Sequence, residues 1–256
     1  MAGLTWPEAA SHAGAGARLA IPVGSTEQHG PHLQLSTDTD FAVGLCARLA
    51  AHRPDVVVAP PVAYGSSGEH QDFAGTLSIG QAALELLLVE LCRSAALTFG
   101  RVLLVSAHGG NAEAVRRAVR QLRAESRDVL VWAPSWDGDA HAGRTETALQ
   151  LALDPARVRL DRAVAWDRRP VHELLPRLRA AGVRAVSPPG VPGDPAGATA
   201  AEGTDLLQRL IDDLLAAVAA GPPGRTDWPL DRHGVPPDRH GVPPNHHDVP
   251  PGKGAG

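Results

Sequence analysis

Four short apolar runs alternate with helix-like segments over the first 153 residues, and this alternation constrains the fold more than any other feature. The strand-like runs cover residues 19–23, 55–59, 101–106 and 128–133. The segments between and after them, at roughly 38–52, 81–99, 111–125 and 146–153, carry apolar residues at helical spacing. Strand followed by helix, repeated, predicts an α/β fold with a mainly parallel sheet and helices on both faces.

The chain divides by composition into a globular part and a tail. Its 256 residues, 43% of them hydrophobic, suffice for one large domain, predicted over 1–221 and ending in an amphipathic helix at about 199–219. Residues 222–256 contain the repeat DRHGVPP and are rich in proline and histidine. Such a segment cannot bury an apolar core, so we predict a disordered tail. Its histidines could chelate metal weakly, or the tail could be an inert extension.

Charge and hydropathy argue against nucleic-acid and membrane partners. The net charge is −4, without a long basic stripe, and the most apolar run, 82–92, is interrupted by Glu85 and Glu90. The first 20 residues show neither a signal-peptide nor a transit-peptide pattern, which predicts a cytoplasmic location. Cys46 and Cys92 lie in apolar helix-like stretches and are interpreted as small buried hydrophobes.

A polar loop directly after the first apolar run contains residue types that bind metals. Alternation along an extended chain would place Glu27 and His29 on one side, and a turn at Gly30-Pro31 can return Asp38 towards them. Carboxylates with imidazole suit zinc, iron or manganese better than calcium. For an isolated E-x-H triplet, however, a solvated surface loop is the commoner outcome.

Three further polar loops follow the other predicted strands. The second loop contains Glu69 and His70, the third contains His108, and the fourth contains His141 and Glu146. The two glycines and the asparagine that follow His108 are also explained by a tight turn and the start of a helix. Because the carboxyl ends of parallel strands meet at one edge of the sheet, all four loops are expected to converge there.

Five candidate ligands exceed what one tetrahedral ion requires. Two divalent ions bridged by Asp38 would use them all, with Glu27 and His108 on one ion and His29 and Glu146 on the other. Such a pair activates water and polarises a carbonyl, so the sequence indicates hydrolysis of an amide-like bond. His141 would donate a proton to the leaving nitrogen.

Taken together, the motifs resemble the creatininase family of metal-dependent amidohydrolases over nearly the whole chain except the tail. They are GSTEQHGPH at 24–32, HGGN at 108–111 and the segment 141–146. The resemblance implies a two-metal site, a ring-like homo-oligomer, metal ligation by Glu27, His29, Asp38 and His108, and proton transfer by His141. Creatininase itself carries a glutamate ligand two residues after the histidine corresponding to His108. Gly110 stands there in this chain, which makes Glu146 the leading replacement.

Two further segments narrow the resemblance to the mycofactocin-system branch of the family. They are YGSSGEHQDFAGT at 64–76 and GVPGDPAGATAAEG at 190–203. This likeness implies a peptidase that releases the modified C-terminal Val-Tyr dipeptide from a precursor peptide. Glu69, His70 and Trp136 are candidate substrate-binding residues, although a Gly-rich turn and simple packing explain them as well.

Two other functions stay open at this point. A small-molecule amidohydrolase or deformylase could use the same scaffold. A non-enzymatic metal carrier could use the His- and Pro-rich tail, but it gives no reason for ligand-type residues on four separate loops.

Overall fold

A parallel sheet of four strands forms the centre of the described part of the chain. The computed structural model describes residues 1–135, 138–139, 141–169 and 171–221. In these residues the strands are ordered β2-β1-β3-β4 and all neighbours pair in parallel. The strand bounds are Arg18–Val23 for β1, Val56–Val58 for β2, Arg101–Ser106 for β3 and Asp128–Trp132 for β4.

Helices cover both faces of this sheet, which confirms the predicted α/β fold. One face packs against α3 and α4, while the other packs against α2, α5 and α7. The helices of the described residues are α1 Trp6–Gly14, α2 Thr37–His52, α3 Gly80–Ala95, α4 Ala112–Ala124, α5 Arg144–Leu153, α6 Val171–Val186 and α7 Ala200–Ala220.

Every residue of β1 is buried because alternate side chains enter two different cores. Leu19 and Ile21 belong to the core beneath α3 and α4, whereas Ala20 belongs to the core beneath α2 and α7. This two-sided burial explains why the strands are continuous apolar runs without polar alternation. Cys46 and Cys92 are free and buried, one in each core, as predicted.

Two parts of the predicted helix pattern were wrong. The helix expected at 81–99 ends at Ala95, because a turn follows in which the amides of Thr98 and Phe99 donate to Ala95 O. Phe99 is nevertheless 4% exposed, so its apolar character reflects the core and not helical periodicity. Helices α1 and α6 were not predicted; α6 contains Pro176 and a kink at Gly182, where φ is 73°, which obscure the helical pattern.

None of the described helices is long and apolar enough to cross a membrane. The predicted tail, 222–256, and Trp136 lie outside the described residues. The division into a domain and a tail therefore stays a prediction.

Candidate metal centre

The loop after β1 turns back on itself and returns Asp38 to His29. Gly30 adopts a φ of 64°, and the amide of Glu27 donates to Leu35 O at 3.0 Å, so the two arms of the loop lie side by side. Asp38 lies in the first turn of α2, with Oδ1 3.2 Å from His29 Nε2. The predicted return of the chain near Gly30-Pro31 is confirmed.

The loop after β3 joins the first loop through strand pairing. Val23 and Ser106 are partners in the ladder, and the amide of Ala107 donates to Val23 O at 2.9 Å. This register places His108 Nε2 3.0 Å from Glu27 Oε2 and His108 Nδ1 3.3 Å from Asp38 Oδ2.

Asn111 fastens three loops at the same edge. Its side-chain oxygen accepts from the amide of Ser66 at 2.8 Å, and its side-chain nitrogen donates to Gly24 O at 2.9 Å. Gly65 must lack a side chain there, because an added Cβ would lie 2.6 Å from Asn111 Oδ1. The sequence predicted a helix-capping role for Asn111; in the structure its side chain makes no cap and instead ties the loops together.

Glu146 completes the cluster from the first turn of α5. Ala142, with a φ of 51°, donates its amide to Glu146 Oε2 at 2.6 Å. Three triplets of ligand atoms then form among the described residues, each with all atoms within 4.8 Å of one another. They are Glu27, Asp38 and His108; His29, Asp38 and Glu146; and Glu27, His29 and His141. The four predicted loops thus converge, and Asp38 belongs to two of the three triplets.

Glu27 has the properties of a carboxylate that requires a cation. It is 0% exposed, and neither of its oxygens accepts a hydrogen bond from the described residues, although His70 and His108 lie within ion-pair distance. Burial raises the pKa of Glu27 to about 8, against the opposing charge of His108. Leaving a buried carboxylate without a hydrogen bond is costly. The donor set of carboxylates and imidazoles therefore fits a transition-metal ion.

The surrounding charges also favour a cation. Burial would lower the pKa of His29, but the charge and hydrogen bond of Asp38 raise it to about 9. The pKa of His108 is likewise raised, since Glu27 and Asp38 outweigh its burial. Despite its burial, Asp38 keeps a pKa well below the usual range because His29 and His108 lie beside it. The carboxylates thus attract positive charge into this cluster.

His141 lies beside the cluster with one ring nitrogen fixed. Its Nε2 is 2.8 Å from Gln28 O, and its Nδ1 is 3.9 Å from Glu146 Oε2. Its ring centroid lies 4.3 Å from that of His29 and 4.5 Å from that of His70. Burial, with the charge of His29, holds the pKa of His141 well below its usual range.

The predicted substrate residues occupy different environments. Glu69 is at the edge of the cluster, its side chain 34% exposed and its Oε1 3.7 Å from His108 Nε2. His70, 4% exposed, lies behind Glu27. An added Cβ at Gly110 would lie 2.5 Å from Glu69 Oε1 and would also collide with Ser66 O, so this loop has no room for a glutamate at that position.

Sequence reasoning missed three supporting residues of the first loop. Gln28 contacts both His70 and His141 through its side-chain amide. Ser25 donates to Asp38 Oδ2 at 2.5 Å. His32, 0% exposed, places Nε2 2.9 Å from Thr147 Oγ1, one residue after Glu146. The density of polar residues at 25–32 was the available signal.

Comparison with known proteins identifies close relatives. The family model described as creatinine amidohydrolase matches residues 2–218. A curated protein of Mycobacterium ulcerans (strain Agy99), named mycofactocin precursor peptide peptidase, is 50% identical over 230 residues. The match covers 86% of this chain and 88% of that protein.

Solved creatininase structures share the fold and contain metals of the expected kind. A mutant creatininase of the Zn-Zn type has a TM-score of 0.73 and 26% identity, over 87% of this chain and 98% of that one. A structure described as creatininase Mn has a TM-score of 0.72 and 27% identity, with the same coverage of 87% and 98%.

Proposed function

Because the chain belongs to the creatininase family, we propose that it is a metal-dependent peptidase acting on the mycofactocin precursor peptide. The bond cleaved is the amide that precedes the modified C-terminal Val-Tyr dipeptide. The observation that carries this proposal is the buried cluster in which Asp38 is shared by two triplets of ligand atoms. The 50% identity to a protein named for this activity, over most of both chains, supports the substrate.

We assign Glu27, Asp38 and His108 to one divalent ion and His29, Asp38 and Glu146 to the other. The two orphaned oxygens of Glu27 support the first assignment. Glu146 supports the second, since it supplies the carboxylate that Gly110 cannot. Zinc, iron and manganese all accept this donor set. When bound, such ions activate a water molecule and polarise the scissile carbonyl.

His141 is assigned the proton transfer. Two groups of Gln28 lie near His141 Nε2: the backbone oxygen, an acceptor, at 2.8 Å, and the side-chain nitrogen, a donor, at 3.2 Å. Because the oxygen is closer, we assign the proton of the neutral ring to Nε2. Nδ1 is then the atom that takes a proton from the attacking water and passes it to the leaving nitrogen. The product pair is a carboxylate on the shortened precursor and a free amine on the dipeptide.

The experiment is incubation of the full chain, loaded separately with zinc, manganese or iron, with the radical-enzyme-modified precursor. Mass spectrometry should show a released dipeptide and a precursor shortened by two residues. The Asp38→Asn variant and unmodified precursor are the matched controls. Intact precursor under every metal condition would overturn the proposal. Turnover of creatinine or a formamide, with none of the peptide, would instead establish a small-molecule amidohydrolase.

A further inference from the structure

His70 is a buried histidine to which the proposed reaction assigns no role. It ends the short 3-10 turn Gly68–His70 that follows β2, with 4% of its surface exposed. Its Nδ1 lies 2.8 Å from Gln28 Nε2, and its Nε2 lies 3.2 Å from Glu27 Oε1. The ring therefore stands between a neutral amide and a candidate metal ligand.

The neighbouring groups determine which ring nitrogen carries the proton. The amide of Gly30 donates to Gln28 Oε1 at 2.9 Å, which identifies that end of the side chain as the oxygen. Gln28 Nε2 is therefore a donor, and His70 Nδ1 must accept from it. The proton of the neutral ring is on Nε2, the atom that faces Glu27 Oε1.

The two oxygens of Glu27 thus have different neighbours. Oε1 lies 3.2 Å from His70 Nε2, a contact that lacks hydrogen-bond geometry in this structure, whereas Oε2 lies 3.0 Å from His108 Nε2, on the side of the triplet completed by Asp38. A donor on one oxygen and a cation on the other would fix the carboxylate in one orientation. A neutral imidazole does this without adding a positive charge that would repel the ion.

We propose that His70 is a positioning residue that acts through Glu27, a proposal that rests on the proposed metal centre. A small turn of the carboxylate would let His70 Nε2–H donate to Oε1, 3.2 Å away, so that Oε2 alone is presented to the ion shared with Asp38 and His108. Gln28 keeps the proton of the His70 ring on Nε2. Gly190, at a φ of 78°, makes room for the Gln28 side chain, because an added Cβ at this position would collide with Gln28 Oε1.

The test compares two substitutions at the same position. In His70→Asn the side-chain oxygen can still accept from Gln28, but no donor reaches Glu27 Oε1. In His70→Gln the longer amide can donate to Oε1. Metal affinity of the full chain is measured by competition with a chromophoric zinc chelator. The Asp38→Asn variant supplies the baseline for zinc bound by the tail.

We expect His70→Asn to weaken binding of one zinc ion by about 10- to 100-fold, as for other groups that orient metal ligands. His70→Gln should stay within about threefold of wild type, below the 10- to 100-fold loss expected when such a group is removed. Wild-type affinity in both variants would overturn the role of His70 while leaving the metal centre standing. Equal loss in both, with an equally lowered melting temperature of the metal-free protein, would also overturn it in favour of simple packing. Absence of tight zinc binding in wild type would overturn the metal centre itself.

Discussion

The two ends of the parallel sheet bury charged groups in opposite ways. At the amino end, Arg18 is 4% exposed, and its Nε and Nη1 make no hydrogen bond within the described residues. Burial lowers the pKa of Arg18, while the charge of Asp128 counters it. At the carboxyl end, Glu27 and Asp38 are as deeply buried, and both are acidic.

This difference shows what distinguishes a candidate site from a structural charge. Opposite charges at the amino end compensate one another within the protein. At the carboxyl end, the carboxylates of each assigned triplet lie within 4.8 Å of one another and of a histidine nitrogen. The histidines balance the negative charge only when they are protonated, as the raised pKa of His29 indicates. Buried charge alone is therefore a weak sign of function, whereas convergence of like charges among metal-binding side chains is a strong one.

At the carboxyl end, replacing His141 should have the largest effect on the rate of dipeptide release. His141→Gln should lower kcat/KM for dipeptide release by about 10²- to 10⁴-fold, because it removes the proton-transfer group. Zinc content per chain, measured on the same sample, should be unchanged. Loss of the metal together with activity would make His141 a ligand and contradict its assigned role.

Replacing Arg18 tests the amino end, where stability and not catalysis should change. Arg18→Met should lower the free energy of unfolding by about 1–3 kcal/mol, since it removes one of the two arginine charges, with that of Arg123, that compensate Asp128. Urea denaturation measures this loss. For the folded fraction, kcat/KM should remain within about twofold of wild type, because no transition-state contact is removed. A large fall in kcat/KM at full folding would contradict the division between the two ends.

The buried His32 should make the stability of the protein depend on pH. Burial and the charge of His29 lower the pKa of His32 to about 4, below the 6.5 of an unperturbed histidine. Between these values the unfolded chain binds a proton that the folded chain does not, so stability is complete above pH 6.5 and falls as the pH falls. Relative to His32→Gln, the metal-free wild type should lose about 1 kcal/mol between pH 7 and pH 5, after allowing for solvent screening. Identical pH slopes for the two proteins in urea denaturation would contradict a buried neutral His32.

Truncation after Gly224 should have the smallest effect. The ligands assigned to both ions lie within residues 27–146, so the truncated chain should keep both ions and release the dipeptide at a rate within about twofold of wild type. Matched measurements of zinc content and dipeptide release check this outcome. Loss of most of the metal would favour a tail-based carrier.

The positions of the ligand residues could be predicted because strand polarity determines them. Glu27, His108 and Glu146 follow strands or begin a helix at one edge of a parallel sheet, and that edge does not depend on details of packing. Asp38 was predicted because a glycine-proline turn is readable in sequence.

The supporting contacts could not be predicted in the same way. The direction of Gln28 depends on an irregular loop packed against His70, which is 42 residues away, and no local spacing encodes that contact. Helix α6 contains Pro176 and is kinked at Gly182, so the helical pattern was obscured. Tertiary packing, absent from any short window of sequence, decides both.

Metal content per chain in wild type and in Asp38→Ala tests the shared role of Asp38 most directly. Elemental analysis of the full chain, with circular dichroism to establish folding and Asp38→Asn as a second variant, should show two tightly bound ions in wild type. Because Asp38 belongs to both of the triplets assigned to the ions, we predict that both ions are lost together in the folded variants. Retention of both ions, or loss of one alone, would contradict a shared Asp38.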